Sequence, residues 1–156
     1  MFERSRVEYE YVNLYKNFAY GLTTFQPLGG GVVPGKCTNG IPTGTRFDHY
    51  WYKGQEDAIL LKAKKVAEME DVAKEIGCTL PQLALAWTAA NEHVSTVLFS
   101  ATSVEQLDEN MKAVAFIEKV TPEVKSKIDA IIAFEPKLLP RYDGLTMGVR
   151  GKYLKH

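Results

Sequence analysis

A glycine-rich segment followed by a lysine is the part of this sequence whose residue types best suit ligand binding. It runs from Gly21 to Lys36 and contains three consecutive glycines at 29–31 and another at Gly35. The β-branched and aromatic residues at 19–25 predict a short buried strand, which Pro27 ends because proline cannot donate to a ladder. Glycines permit tight turns and close approach to a ligand, and the lysine adds a positive charge. The segment suits a nucleotide phosphate, with a flexible loop and a solvated lysine as the alternative.

Two further groups could contact a phosphate. Arg46 lies in a long polar connection, residues 37–54, whose length is typical of a lid or a disordered segment. It is either a solvated charge or a second cation beside Lys36. The segment Ser100–Ser103 separates an apolar run from a predicted helix, whose first amides would favour an anion. Plain helix capping by Ser103 is the alternative interpretation.

Helical patterns surround two strand-like runs, so the strands should pair in parallel through crossover connections. The aromatic residues at 49–52 are expected to fix the long connection against the body of the protein.

Two of the predicted helices have an apolar face that should be buried. Its residues are Val7, Tyr11, Leu14 and Phe18 in the first helix, and Val104, Leu107, Met111 and Val114 in a later one. The predicted elements are a helix at 5–18 with a capping box at Ser5 and Glu8, a strand at 19–25, a helix at 55–76 ended by Gly77, a helix capped by Thr79, a strand at 94–99 buried on both faces, a helix capped by Ser103 with Gln106 at the capping-box position, and a helix at 121–132.

Composition restricts the class of protein. The 156 residues include 46% hydrophobic residues, as in an ordinary globular domain, and 19 basic side chains balance 19 acidic ones. No net field therefore attracts nucleic acid, and no apolar run is long enough for membrane insertion. The charged start lacks the apolar core of a secretory signal. Cys37 and Cys78 are scattered thiols, which favours a cytoplasmic protein without structural zinc.

Four ordered motifs resemble the closing part of the aldo-keto reductases. The resemblance is greatest to the branch that contains the β subunits of voltage-gated potassium channels and their bacterial and plant oxidoreductase relatives. Residues 1–8 also resemble the segment of that branch in which the sixth barrel strand leads into its helix. The motifs are Thr-Phe-Gln-Pro-Leu-Gly-Gly-Gly-Val-Val-Pro-Gly-Lys at 24–36, Gly40-Ile-Pro42 followed by Arg46, Gly-Cys-Thr-Leu-Pro-Gln-Leu-Ala-Leu-Ala-Trp at 77–87, and Ser-Ala-Thr-Ser-Val-Glu-Gln-Leu-Asp-Glu-Asn at 100–110.

The resemblance implies an α/β fold that is the C-terminal portion of a (β/α)8 TIM barrel. Such a barrel needs about 250 residues, so the barrel is incomplete in this chain, which would hold roughly its last two and a half units. The expected organisation is a partial NADPH-binding domain at 1–133 and a loosely held tail at 134–156.

The same resemblance implies NADPH as the cofactor and assigns site residues by position. Several of these positions depart from the branch: Phe25 replaces a usual tryptophan, Gln26 a small hydroxyl residue, and Ser100 a usual glycine, while Gly29 and Gly30 replace bulkier residues. These departures bear on affinity more than on location. By position, Phe25 falls on the nicotinamide; Gln26, Pro27, Leu28, Gly29 and Gly30 along the pyrophosphate; Lys36 and Arg46 over it; Ser100, Thr102 and Gln106 around the adenosine ribose and its phosphate; and Glu109 and Asn110 by the adenine.

The resemblance gives this chain no catalytic residue. In the family, the proton donor is a tyrosine beside a lysine, and both belong to the first half of the barrel. The sequence thus predicts an NADPH-binding segment of a carbonyl-reducing oxidoreductase that is inactive alone, with a complementary barrel half as a possible partner. The alternatives are an auxiliary β-type subunit of a voltage-gated potassium channel, and a truncated product without function.

Overall fold

The structure of the chain is a computed structural model that describes residues 1–44 and 46–137. Within these ranges it is α/β, with helices arranged around two strands. The predicted tail at 134–156 falls outside the described residues except for its first part, through Lys137. The elements are a π-helical turn (Arg6–Glu10), α1 (Val12–Phe18), β1 (Leu22–Phe25), 3-10 turns (Gly29–Gly31, Arg46–Asp48 and Tyr50–Tyr52), α2 (Glu56–Glu68), α3 (Glu70–Ile76), α4 (Leu80–Ala89), β2 (Val94–Leu98), α5 (Val104–Met111), a 3-10 helix (Lys112–Lys119) and α6 (Pro122–Ile132).

The two strands form a parallel pair, as the order of elements predicts. Leu22 pairs with Val94 at one end, Phe25 pairs with Leu98 at the other, and the register is irregular after Leu22. The crossover between the strands contains α2, α3 and α4, and α4 packs against β2. Because the strands are parallel, their carboxyl ends meet at one edge of the sheet.

Local sequence signals account for the helix ends that the pattern predicts. Gly77 ends α3 in the left-handed conformation (φ +78°), which glycine adopts without a Cβ penalty. Thr79 and Gln82 form a reciprocal capping box at the start of α4, with donor–acceptor distances of 3.0 and 3.4 Å.

The predicted single helix at 55–76 is wrong, because the structure has two helices there, α2 and α3. They are separated at Met69, whose backbone angles are φ −83° and ψ −5°. The buried Met69 side chain lies in the core at this break.

The hydrophobic core lies among α2, α3, α4 and α6 and also holds part of the long connection. Leu83 and Ile128 are fully buried in it. Phe47 is buried and its ring meets that of Tyr52 at 5.3 Å, edge to face. The rings of Phe47 and Tyr52 therefore hold the connection against the core. Tyr50 and Trp51, which the sequence predicts to share this role, are largely exposed.

The first helix differs from the sequence prediction. Ser5 has helical backbone angles (φ −52°, ψ −43°) and makes no capping bond; its hydroxyl accepts a 3.1 Å hydrogen bond from the backbone N–H of Lys137. The predicted buried face is also wrong, since Leu14 and Phe18 are exposed and Tyr15 is the buried residue of α1. The competing contact comes from the far end of the described chain, which local spacing cannot reveal.

Two surfaces that the sequence predicts to be buried are exposed. The predicted burial of β2 on both faces is wrong, because none of its residues is buried: Val94 and Val97 are partly buried, and Leu98 is 52% exposed. Likewise, α5 is amphipathic as predicted, but its apolar row faces solvent: Val104 is 68% exposed, and Val114, in the 3-10 helix that follows, is 65% exposed. Periodicity identifies an apolar face without identifying what covers it.

Candidate functional site

The site that the sequence predicts lies at the carboxyl edge of the two-stranded sheet. Phe25 and Leu98 are the last residues of β1 and β2 and are paired in register. The glycine-rich segment leaves β1 at this edge, and Ser100–Ser103 leaves β2 at the same edge. The structure therefore brings the two predicted ligand-contacting segments to one end of the sheet.

The glycine turn after β1 depends on unusual backbone angles. Gln26 has a φ of +54°, a conformation few non-glycine residues adopt, and three glycines follow at φ +58°, +71° and +110°. The N–H of Gly29 donates to the carbonyl of Gln26 at 3.0 Å, and that of Gly31 donates to Leu28 at 3.1 Å. Val32 and Val33 are buried directly afterwards, so the turn is held by the core while Phe25 and Gln26 stay exposed.

Both predicted cations lie against this turn. A methyl group on Gly30 would lie 3.9 Å from Cδ of Arg46 and 3.2 Å from the hydroxyl oxygen of Tyr52. A methyl group on Gly31 would lie 3.9 Å from Cδ of Lys36. Both cations are exposed, and within the described ranges neither forms an ion pair. Two positive charges beside bare backbone form an arrangement suited to a diphosphate.

The second segment forms a capped helix start. Ser103 caps α5, as predicted, by accepting from the N–H of Gln106 at 3.3 Å. The Gln106 side chain folds back onto Thr102, whose backbone N–H and hydroxyl donate to its Oε1 at 3.1 and 2.9 Å. It therefore bonds to Thr102 and not to the Ser103 amide that a capping box would use. Ser100 and Thr102 are exposed.

A carboxylate already lies at the start of α5. Hydrogen bonds from the Glu105 backbone N–H and from the Ser103 hydroxyl lower the pKa of Glu105 below its usual value. The Glu105 side chain is thus ionised at neutral pH and occupies donors that an incoming phosphate would also use. Sequence reasoning missed this competitor, although an acidic residue in a first helical turn is a recognisable signal.

The residues assigned to the adenine lie farther along α5 and are engaged with neighbouring structure. The Gln82 side-chain amide donates to the Glu109 carbonyl and to its Oε1, both at 2.9 Å. The other Glu109 carboxylate oxygen pairs with Lys112 at 2.9 Å. Asn110 is buried. Gln82, which sequence reasoning did not single out, therefore fixes the position of Glu109 relative to α4.

The family follows from comparison with known proteins. The family model described as "Aldo/keto reductase family" matches residues 1–133. The chain belongs to this family. The resemblance inferred from the motifs is confirmed, and the fold of this family is a (β/α)8 barrel. The parallel α/β pair described above is consistent with part of such a barrel.

Curated relatives of this aldo/keto reductase family chain carry channel-subunit names. It is 44% identical over 140 residues to a "Probable voltage-gated potassium channel subunit beta" of Arabidopsis thaliana, covering 88% of this chain and 43% of the relative. A protein of the same description from Oryza sativa subsp. japonica is 41% identical, with 91% and 44% covered. A "Putative voltage-gated potassium channel subunit beta" of Schizosaccharomyces pombe is 40% identical, with 85% and 40% covered. The chain thus spans less than half the length of these relatives.

Tyr15 is the buried tyrosine of α1. Its hydroxyl donates a hydrogen bond to the carbonyl of Val7 at 3.1 Å, and burial raises the pKa of the hydroxyl. A raised pKa is opposite to the activation that a catalytic phenol needs at neutral pH.

Among the described residues, no helix combines the length and the apolar character that crossing a bilayer requires.

Proposed function

We propose that this aldo/keto reductase chain binds NADPH at the carboxyl edge of β1 and β2. The observation that carries the proposal is the position of Lys36 and Arg46, whose side-chain stems lie against Gly31 and Gly30 of one turn. Family membership supports a nicotinamide dinucleotide as the ligand. Two exposed cations beside consecutive glycines suit its pyrophosphate in both charge and access.

Each part of the site has a role in this proposal. Phe25, 74% exposed at the strand end, offers a ring face on which the nicotinamide would stack. Residues 26–30, with Lys36 and Arg46, would hold the pyrophosphate. Ser100, Thr102 and Gln106 would lie by the ribose and its phosphate, and Glu109 with Asn110 would lie near the adenine. When bound, the cofactor would supply a hydride for reduction of an aldehyde or ketone.

The proposal includes a limit on activity. Hydride transfer to a carbonyl leaves an alkoxide that needs a proton donor. The residues of this chain match no such donor of the family, so we propose that residues 1–156 bind the cofactor without reducing carbonyls alone. We further propose a cytoplasmic location, where NADPH is available.

Titration of the 156-residue chain with NADPH, followed by cofactor fluorescence and by calorimetry, tests the binding proposal. The double variant Lys36→Ala/Arg46→Ala should weaken binding more than about tenfold, since charge-assisted phosphate contacts are strong. Lys64→Ala, at an exposed position on α2, is the matched control and should leave affinity unchanged. Equal affinities of the double variant and the parent chain would refute the site.

The activity limit has its own assay. A panel of aldehydes and ketones is offered with NADPH, and oxidation of the cofactor is followed at 340 nm. We expect no turnover above the rate without protein. Sustained turnover by the purified 156 residues would refute the limit while leaving the binding site in place.

A second candidate is an auxiliary subunit of a voltage-gated potassium channel. It is favoured by the printed names of the relatives, which are 40–44% identical to this chain. Co-expression with a voltage-gated potassium channel and purification of the channel in detergent would test it. Stoichiometric co-purification would support this candidate, and quantitative recovery of the chain in the unbound fraction would count against it.

A further inference from the structure

A polar cavity lies beside the start of β2, at the opposite end of that strand from the candidate cofactor site. Residues 90–93, which lead into β2, form part of its wall. The five residues of β2 lie between them and the Ser100–Ser103 segment, which is roughly 15 Å of strand. The cavity has a volume of about 350 Å³, in the range of small-molecule sites. The candidate cofactor site therefore does not account for it.

The walls of this outer cavity come from elements that are distant in sequence. Val12 of α1 supplies an apolar surface, and the ring of His93 stacks on that of Tyr15 with 3.9 Å between the ring centroids. Lys125 of α6 lies on another side, where its Nζ donates to the carbonyl of Ala90 at 3.1 Å. The outer cavity thus combines apolar, aromatic and charged walls.

A smaller, inner cavity of about 100 Å³ adjoins the outer one, since Glu8, Asn91 and Lys125 line both. Arg4 lines the inner cavity, and only 9% of its side chain is exposed. Its Nη1 donates to a carboxylate oxygen of Asp129 at 2.8 Å and to one of Glu8 at 3.2 Å. Removing a charge from water is costly unless partners compensate, and here two carboxylates do so. The inner cavity therefore has an ordered ionic wall.

Two buried donors at the inner cavity lack an acceptor. They are Nε of Arg4 and Nε1 of Trp87, and both residues line this cavity. Among the described residues, neither atom finds a hydrogen-bond partner. The Arg4 guanidinium lies 5.4 Å from the Trp87 ring and 4.8 Å from that of Phe134, contacts that order these side chains. Because a buried donor without an acceptor costs free energy, the two indicate a position for an oxygen atom.

Charges of both signs at the two cavities are left without a salt bridge to an oppositely charged Lys, Arg, Asp or Glu. Lys125, which lines both, donates to a neutral carbonyl, and within the described ranges it forms no ion pair. Glu92 lines the outer cavity, and its side chain is 86% exposed, which places it at the mouth. Within the same ranges, no lysine or arginine pairs with it. A ligand with an anionic inner end and a cationic outer end would complement this arrangement.

We propose that the two cavities bind a free α-amino acid with an apolar side chain. Its carboxylate accepts from Lys125 and from the unpaired donors of Arg4 and Trp87, since such charge-assisted hydrogen bonds are strong. Its ammonium group faces Glu92 at the mouth. Its side chain lies against Val12 and the adjacent rings. This site is separate from the glycine turn, so amino-acid binding does not depend on NADPH.

Calorimetric titration of the 156-residue chain with L-phenylalanine and with L-leucine tests this site. We expect saturable 1:1 binding and a thermal unfolding midpoint that rises with ligand concentration, because the ligand binds the folded chain. 2-Phenylethylamine lacks the carboxylate, and 3-phenylpropanoate lacks the amine. Each should bind at least about tenfold more weakly than L-phenylalanine, since a charged hydrogen-bonding group is lost.

Tryptophan fluorescence reports where the amino acid binds. The chain has two tryptophans, and Trp51 is exposed on the long connection. Trp51→Phe leaves Trp87 at the inner cavity as the single emitter. Its emission should change with L-leucine, which does not fluoresce, along the same curve as the calorimetric signal. Constant emission at saturation would place the ligand elsewhere and overturn the site.

Paired variants test each charge. Lys125→Met should weaken L-phenylalanine binding more than about tenfold, whereas Lys127→Met, at an exposed position two residues further along α6, should leave it unchanged. Glu92→Gln, at an exposed position that tolerates substitution, should weaken binding about two- to fivefold. Glu68→Gln, on the exposed side of α2, is its control. Circular dichroism of each variant checks that the helices are intact.

Three results would overturn this site. They are absence of binding by both amino acids, which would leave the cavities to ordered water, equal affinity for L-phenylalanine and a one-charge analogue, and equal effects of Lys125→Met and Lys127→Met. A chain that binds L-phenylalanine but not NADPH would keep this site and refute the proposed function.

Discussion

The side-chain amide of Gln82 donates two 2.9 Å hydrogen bonds to Glu109, one to its carbonyl and one to its carboxylate. Gln82 also belongs to the capping box of α4, where its Oε1 accepts from the N–H of Thr79 at 3.0 Å. One buried side chain thus starts α4 and fixes α5 against it. The part of the candidate site on α5 depends on this link for its position.

Removal of the Gln82 amide should destabilise the chain. Gln82→Ala leaves the Thr79 N–H and the Glu109 carbonyl without their partner, at an expected cost of about 1–3 kcal/mol in the free energy of unfolding. Urea denaturation followed by circular dichroism measures it. Glu118→Ala, at an exposed position of the 3-10 helix after α5, serves as the control and should change stability by less than about 0.5 kcal/mol. Equal stabilities of the two variants would contradict the bridging role.

Gly30 is expected to be needed for two reasons: its positive φ, and the lack of space for a side chain beside it. Gly30→Ala would place a methyl group 3.2 Å from the Tyr52 hydroxyl oxygen, at φ +71°. Gly44 has nearly the same φ, +72°, but an added methyl there would meet nothing within 4 Å. Both substitutions should cost about 1–2 kcal/mol of stability through strain. Only Gly30→Ala should also weaken NADPH binding, as measured by calorimetry under folding conditions.

The comparison of Gly30 with Gly44 separates the two causes. A loss of affinity in both variants would assign the effect to general strain in the connection. A loss in neither would show that the turn does not contact the ligand.

The Glu105 carboxylate is expected to oppose phosphate binding at the start of α5. Glu105→Gln removes this charge and should strengthen NADPH binding about two- to fivefold, the range that a single charge at a helix end commonly gives. Because the pKa of Glu105 is lowered, the side chain is ionised throughout pH 6–8 and the ratio of affinities should be constant there. Fluorescence titrations at three pH values check this.

Glu118→Gln is the control for that charge effect. It removes one negative charge from an exposed position outside the first turn of a helix. If it strengthened binding as much as Glu105→Gln, the gain would reflect net charge alone, and the specific competition at α5 would be rejected.

How far the sequence determines this structure depends on the range of the interaction. Gly77 and Thr79 could be predicted because their roles are decided by neighbouring residues. The parallel pairing also followed, since intervening helices require a crossover. The role of Ser5 could not be predicted, because its hydroxyl accepts a hydrogen bond from the N–H of Lys137 at the other end of the described chain. For the same reason, the spacing of residues on α4 and α5 does not reveal that Gln82 holds Glu109.

The candidate site shows the same division. The residue pattern pointed to Lys36 and Arg46 and the motif resemblance assigned both to the pyrophosphate; the structure places both stems against one glycine turn. The predicted Ser103 cap places Glu105 in the first turn of α5, but neither the resemblance nor periodicity indicated that its carboxylate accepts hydrogen bonds there. Nor could periodicity show that the apolar row beginning at Val104 faces solvent, since an amphipathic pattern is identical whether its partner is present or not.

The cap of α6 makes the free energy of unfolding depend on pH in the acidic range. Hydrogen bonds from the Thr121 hydroxyl and from its own backbone N–H lower the pKa of Glu123 below the ordinary value of 4.5. Between the lowered and the ordinary value, the unfolded chain binds more protons than the folded one, so stability rises with pH. The contribution of Glu123 is therefore present above pH 4.5 and is lost as the pH falls through its folded-state pKa. Comparison of urea unfolding midpoints at pH 6 and pH 3 should show a smaller decrease for Glu123→Gln than for the parent chain. The Thr121→Ala variant should also show a smaller decrease than the parent chain, because the Thr121 hydroxyl is the larger cause of the lowered Glu123 pKa. An unchanged decrease in both variants would contradict this assignment.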